Sequence, residues 1–335
     1  MSDTQTTGSW LPAEYEPGLV SVVIPTFNRA LLLRETLESV FRQDYRPLEL
    51  VVVDDGSTDS TLTILEGLQR PEGIELKVIR AGHAGAAGAR NLGAAASHGE
   101  FVMFLDSDDL LHEGALTALT AGIGEADLVH GLWRDWYSSE VPPRYGRTYC
   151  REHGPDLLVE LLRNQWLLPS AVLHRRSMLV RVGGWDETFG VEDDFEFMAR
   201  LALKRGKATA VNRLVADYRR HGVDQLHRTG IAGKSQASER VLRRVEAALD
   251  AEGWTEPHRD AMAWRWFWEA RKAWAEAGDA KCFDLLMREA FRVQPGFKPP
   301  KRWYRWIAGL FGYRNAERFA AMARKLLRRR RRRTA

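Results

Sequence analysis

The alternation of four short apolar runs (residues 21–24, 48–53, 76–79 and 101–105) with stretches of helical spacing constrains this chain more than any other feature. The first run stops at Pro25 and the fourth is apolar throughout, as buried parallel strands would be, and the second is rich in β-branched residues. Between the first two, Leu31, Leu32, Glu35, Thr36, Ser39 and Val40 repeat at helical spacing. Residues 57–68 form a second helical stretch with Ser57 or Thr58 near its cap, and residues 87–96 a third. This order predicts an α/β fold: a Rossmann-like, mostly parallel sheet with flanking helices and right-handed crossovers. In open sheets of that kind ligands lie beyond the carboxyl ends of the strands. Three segments fall there: Pro25-Thr26-Phe27-Asn28, Asp54-Asp55 and Asp106-Ser107-Asp108.

Further along, strand patterns at 128–133, 170–174 and 208–218 mix with helical ones at 155–166 and 195–204. From about residue 230 only helical patterns remain, at 235–251, 257–277, 281–293 and 315–333, broken at Gly278 and Pro295-Gly296. The predicted organisation is a flexible segment 1–18, a domain over 19–230 with halves 19–124 and 125–230, a helical region 231–313 and a basic amphipathic tail 314–335. Two cysteines, Cys150 and Cys282, cannot build a disulfide framework and point to a reducing compartment. The polar start lacks the pattern of a signal peptide, and no run of about 18 apolar residues occurs. A cytoplasmic protein is expected, peripheral at most at the inner face of a membrane.

The net charge of +4 is unevenly placed: residues 301–335 hold 13 Lys/Arg and one acid, Glu317, so that segment is +12 and the rest of the chain −8. A partner attracted by positive charge must therefore be met by the tail.

The acidic motifs each allow a local and a chemical reading. Asp55-Gly56-Ser57 can be a turn, or Asp55 can accept a hydrogen bond from a nucleobase. Asp106 and Asp108 can form a solvated turn in which Asp108 or Asp109 caps a helix near Leu110. Alternatively, two like charges at a buried strand end can be reconciled by Mg²⁺ or Mn²⁺, which suit hard oxygen ligands and bridge to phosphates. The small residues from Gly85 to Gly93 bring a helix start, with Arg90 and Asn91, close to a ligand or close to the sheet. Glu192-Asp193-Asp194 can complement a helix dipole, or Asp193 can serve as a general base beside Gly183-Gly184-Trp185, whose indole offers a flat apolar face to an acceptor. His221 is a candidate third metal or phosphate contact, and Arg219, Arg220 and Arg228 can meet phosphates.

Taken in order, residues 22–29, Val51-Val52-Val53-Asp54-Asp55-Gly56-Ser57, Gly88-Ala89-Arg90-Asn91-Leu92-Gly93, Phe104-Leu105-Asp106-Ser107-Asp108-Asp109, Gly184-Trp185-Asp186-Glu187 and Glu192-Asp193 resemble the family-2 glycosyltransferases of the GT-A fold. The resemblance covers about residues 20–222. It implies an inverting transfer of sugar from a nucleotide-sugar donor, bound by residues 19–124, to an acceptor bound by residues 125–230. It further implies that Pro25, Thr26, Phe27, Asn28, Asp55, Arg90, Asp106 and Ser107 hold the donor, and that Asp108, Asp106 and His221 hold the metal. Trp185 and Glu192 would meet the acceptor and Asp193 would be the catalytic base. The Gln-x-x-Arg-Trp motif and membrane spans of the processive synthases in the family do not occur, which favours addition of one sugar, with a uridine nucleotide favoured by family frequency.

Seven of the 12 tryptophans lie between Trp254 and Trp306. Trp264 and Trp268 share one helix face and Trp266 points away, so that helix is expected to pack on two sides or to offer one side to a partner. Trp303, Tyr304, Trp306, Ile307, Leu310 and Phe311, followed by the arginine run 328–333, form an aromatic basic end suited to an anionic membrane surface, across 303–335. The acceptor is then a glycan or a lipid-linked molecule. Nucleic acid is disfavoured as a partner, since no base-reading motif accompanies the tail. A nucleotidyltransferase on a similar sheet and a non-catalytic membrane scaffold are the alternatives; the former lacks its Gly-rich signature after the first strand.

Overall fold

The structure, a computed structural model, describes residues 10–150, 154–163, 166–220 and 231–333. The chain divides into two compact units, Met1–Leu157 with Trp166–Gln225 and Leu158–Gln165 with Leu226–Ala335.

The first unit begins with β1 (Glu16–Thr26), α1 (Ala30–Phe41), β2 (Leu48–Asp54), α2 (Thr61–Glu66), β3 (Ile74–Arg80), α3 (Gly85–Ala95) and β4 (Gly99–Phe104). These strands lie side by side in the order β3-β2-β1-β4, all parallel. Every residue of β2 is buried, Glu49 and Asp54 included, as in a strand covered on both faces. Then follow β5 (Leu110–Leu111), α4 (Ala115–Ile123), β6 (Leu128–Tyr137), β7 (Arg144–Tyr149), α5 (Leu157–Leu162), which belongs to the second unit from Leu158 on, β8 (Val172–Arg175), α6 (Arg176–Val182), α7 (Asp193–Leu203) and β9 (Ala208–Arg219). The sheet continues as β8-β6-β9-β5 with β7 on β6, and this half is mixed: β8 runs against β4 and β6, while β6 and β9 are parallel.

Three local expectations are corrected. The second helix starts at Thr61 behind Ser60, because the Ser57 hydroxyl instead accepts the backbone N–H of Asn28 at 2.8 Å. Leu110 and Leu111 form an edge strand against Asp217 and Ala216, so neither Asp108 nor Asp109 caps a helix there. The stretch expected as a helix over 155–166 reduces to the six residues of α5.

The second unit holds α8 (Ile231–Glu252), α9 (Glu256–Ala277), α10 (Ala280–Val293), α11 (Arg302–Phe311) and α12 (Tyr313–Arg333). Helix α9 is capped by Thr255 and stops at Gly278, which takes the left-handed conformation that glycine tolerates. Asp279 caps α10, its carboxylate accepting the N–H groups of Lys281 and Cys282, each at 2.9 Å. Trp266 is buried with its Nε1–H donated to Glu246 at 2.8 Å, while Trp264 and Trp268 stack on each other on another face. The two-sided packing of α9 is therefore observed.

Helix α3 lies on β1 and β2 through Gly93, where an added Cβ would stand 2.3 Å from Cγ1 of Val23 and 3.1 Å from Cγ2 of Val53. Gly93→Ala gains about 1 kcal/mol of helix propensity, but overpacking costs about 1–3 kcal/mol. Net destabilisation is expected in urea unfolding; a midpoint at or above wild type would refute this contact.

Candidate active site

The carboxyl ends of β1 and β2 build one wall of the cleft. Thr26 pairs with Asp54 in register, and Thr26 Oγ1 and Asp54 Oδ1 are buried oxygens without a protein partner, as the edge of a polar-ligand site leaves them. Pro25 is buried in β1, whereas the Phe27 ring is 45% exposed and meets His83 edge-to-face at 5.6 Å. His83 has no sequence signature; it reaches Phe27 because residues 81–84 are held down by Asp55. The Asp55 carboxylate accepts the N–H groups of Ala84 at 2.5 Å and Gly85 at 2.8 Å. Each of its oxygens retains a lone pair for a further donor. Asn28 tethers two loops: its Oδ1 accepts Thr58 N–H at 2.8 Å.

Arg90, on the second turn of α3, is buried and bridges two acids. One guanidinium nitrogen donates to Asp106 Oδ1 at 2.8 Å and another to Asp193 Oδ2 at 2.7 Å, and the group lies 4.5 Å above the Trp185 ring. Burial alone would lower the Arg90 pKa, but Asp106 and Asp193 outweigh it and hold it raised. Burial raises the Asp106 carboxyl, Arg90 opposes the rise, and neighbouring Asp108 adds to it. Asn91, the next residue, clasps the Trp185 backbone from both sides, donating to its carbonyl at 2.9 Å and accepting its N–H at 2.7 Å.

The turn after β4 divides its acids. Asp109 is fully buried and faces away from the cleft, accepting from Ser170 Oγ at 2.6 Å and Arg219 N–H at 3.0 Å; burial, with Asp108 and Asp106 nearby, pushes its carboxyl well up. Ser170 also accepts the Asp106 N–H at 3.1 Å, a positioning role that its sequence context did not reveal. Ser107 is buried, and its carbonyl accepts the Thr36 hydroxyl at 3.0 Å. Asp106 and Asp108 are both part-exposed. Among the described residues no three His, Cys, Asp or Glu side chains converge as a metal cage. Two carboxylates one residue apart beyond a strand end, the Asp106 carboxyl raised by burial and further by Asp108, still fit Mg²⁺ or Mn²⁺, which need one or two carboxylates and take waters and phosphates for the rest.

Several expected roles are altered by position. Trp185 is buried, stacked on Phe197 at 4.3 Å, so its ring supports the cleft from beneath instead of offering a face to an acceptor. Arg219 is drawn inward, donating to the Asp108 carbonyl at 2.7 Å and to Glu35, and Arg220 pairs with Asp135 at 2.8 Å, so the phosphate role expected of them is taken by internal contacts. Glu192 precedes α7 in the left-handed conformation, its carbonyl starting the helix. His221 and Arg228 lie outside the described residues.

Asp193 and Asp194 open α7. Asp193 Oδ1 accepts the Asp194 N–H at 3.0 Å while Oδ2 is held by Arg90. Burial, then Asp193 and Glu192, push the Asp194 carboxyl up to about 7, although Trp166 Nε1–H and Phe195 N–H donate to it.

Replacing Arg90 by Met strands Asp106 and Asp193. The expected loss is about 3 kcal/mol at neutral pH, at the lower end for a broken pair because both acids keep some surface in water. Protonating the two acids removes the uncompensated charge, so the gap from wild type should narrow as urea unfolding is repeated at falling pH. A gap independent of pH would contradict the electrostatic account.

The sequence profile of Glycosyl transferase family 2 matches residues 21–183. The PGL/p-HBAD biosynthesis glycosyltransferase of Mycobacterium tuberculosis is 31% identical over 209 residues, 61% of this chain and 78% of that protein. The GalNAc(5)-diNAcBac-PP-undecaprenol beta-1,3-glucosyltransferase of Campylobacter jejuni is 41% identical over 101 residues, 30% of this chain and 33% of that protein. Matched segments span 49% and 33% of the first two curated relatives, about half their length or less. Among solved structures, residues 1–349 of Staphylococcus aureus TarS in complex with UDP-GlcNAc share the fold, with a TM-score of 0.67 at 20% identity over 91% of this chain and 92% of that one. With a GT-A-like sheet and acids at its strand ends, the chain belongs to glycosyl transferase family 2.

Proposed function

We propose that this chain moves one sugar, with inversion, from a nucleotide-sugar donor to a hydroxyl of a glycan or lipid-linked acceptor. The observation that carries the reading is the Arg90 bridge, which joins Asp106 from the turn after β4 to Asp193 from α7 at the carboxyl ends of the strands. The Phe27 and His83 rings bound a slot for the nucleobase, within reach of Asp55. A uridine nucleotide is favoured, in keeping with the UDP-GlcNAc held by TarS, and a lipid-linked acceptor accords with the PP-undecaprenol acceptor in the name of the Campylobacter relative.

Asp108 and Asp106 would hold the divalent ion, which when bound supplies positive charge to the departing diphosphate. The chain's own residues do the rest. Arg90 lies between the cleft acids and offsets their charge, and the buried Trp185 lies under its guanidinium. A carboxylate at the start of α7 accepts the proton of the acceptor hydroxyl as the new oxygen–carbon bond forms and the bond to the phosphate oxygen breaks.

Asp193 is the base expected from its motif. A second reading gives that role to Asp194, because Asp193 is already paired with Arg90 whereas Asp194, raised to about 7, is poised near neutral pH. Above about 7 Asp194 is charged and accepts a proton; below it the carboxyl is protonated, so kcat should fall as pH drops through that value. Asp194→Asn is expected to lower kcat by about 10²–10⁴ and to cost more than Asp193→Asn. The opposite ranking would return the role to Asp193.

The donor site is tested by calorimetric titration with UDP, GDP and dTDP, each with and without Mn²⁺. Metal-dependent binding of one nucleotide, weakened at least about tenfold in Asp108→Ala, is expected. If a folded sample bound none of the three, the transferase reading would give way to that of a scaffold.

A further inference from the structure

Helix α11 buries Tyr304 and Ala308 within the second unit and leaves Trp303, Trp306 and Leu310 exposed, with Phe311 beside them. Positions 303, 306 and 310 recur at the spacing of one helix face, and Trp306 is 67% exposed. Helix α12 repeats the arrangement, burying Ala316, Glu317 and Ala320 and exposing Phe319 and Met322. Exposed Lys301, Arg302 and Arg318 border these apolar faces. The one acid between residues 301 and 335, Glu317, is fully buried and holds Arg271 at 2.7 Å, so the solvent-facing side of both helices carries no acid.

We propose that this face is a docking surface for an anionic lipid bilayer, with Trp303, Trp306, Leu310 and Phe311 entering the headgroup–acyl boundary and the basic residues meeting lipid phosphates. Tryptophan suits that boundary, with an apolar ring and one polar N–H, and cations suit an anionic leaflet. Charge selects this occupant over a second copy of the chain, since two such faces would meet with the same sign. It also selects against a duplex, whose phosphates would satisfy the cations and leave the apolar stripe in water. No helix among the described residues is long and apolar enough to cross a membrane, so the contact is one of lying on the surface. The use of the contact, bringing the enzyme to a lipid-borne acceptor, rests on the proposed transferase reading; the binding does not, and the two fail separately.

The test is co-sedimentation of the full chain with vesicles of phosphatidylcholine alone and of phosphatidylcholine mixed with phosphatidylglycerol. Wild type is expected to pellet with the anionic vesicles and not with the neutral ones. The double substitution Trp306→Ser with Leu310→Ser should weaken that partition at least about tenfold while leaving the circular dichroism spectrum unchanged. Trp306→Phe should retain binding yet lose part of the fluorescence quenching by bilayer-buried brominated lipid. Unaltered partition of the folded double variant would overturn the proposal. So would failure to bind anionic vesicles, whether the face then proves to bind duplex DNA or to join two copies.

Discussion

The Arg90 guanidinium, held between Asp106 and Asp193, is the contact on which the cleft depends. Without it, carboxylates from the end of β4 and the start of α7 would face one another in a half-buried space, and mutual repulsion would drive them apart or protonate them. Its position is fixed by a chain of packing that begins on the opposite side of the helix. Gly93 lets α3 settle against Val23 and Val53, which sets the height of Arg90 above the sheet. Asn91 then grips the Trp185 backbone, and the Trp185 ring lies under Arg90 and against Phe197 of α7. The same stack includes Phe104, the last residue of β4, with its ring 5.2 Å from Trp185. The acid after β4 and the acid that opens α7 are thus registered through one aromatic cluster, and a small displacement of α3 would move both.

The acids of the cleft differ because their surroundings differ. Asp109, the residue after Asp108, is enclosed and bound by Ser170 and the Arg219 backbone, while Asp106 opens to the cleft and meets a cation. Arg219 contributes through a backbone contact: by donating to Asp108 O it holds the backbone of the acidic turn. The turn therefore leaves two carboxylates, of Asp106 and Asp108, part-exposed and buries the third, of Asp109, as a structural anchor.

Much of this was legible in the sequence. The unbroken apolar runs identified β1 to β4 and their parallel order, and the acids after them fell at the strand ends because topology places them there. What could not be read were partners remote in sequence. Asn91 meets Trp185 across 94 residues, and Arg219 meets Asp108 across 111, so neither motif announced that its polar group was already engaged. His83 carries no local signal at all; its place beside Phe27 follows from the Asp55 contacts to the next two residues. Strand β7 escaped notice for another reason: it is an edge strand with a polar, largely exposed sequence, and lacks the buried pattern that marks the others.

In the second unit, composition understates the surface charge because it counts buried acids equally with exposed cations. Glu246 is enclosed by Trp266 and Arg292, and Glu317 lies beneath Arg271, so these carboxylates satisfy interior donors and contribute little field outside. Arg314 works in the opposite sense, neutralised at the surface by Asp284. The apolar residues left outside α11 and α12 are therefore set on helix faces that carry exposed cations and no acid of their own, a combination that a folded core does not need and that an interface with an anionic phase explains.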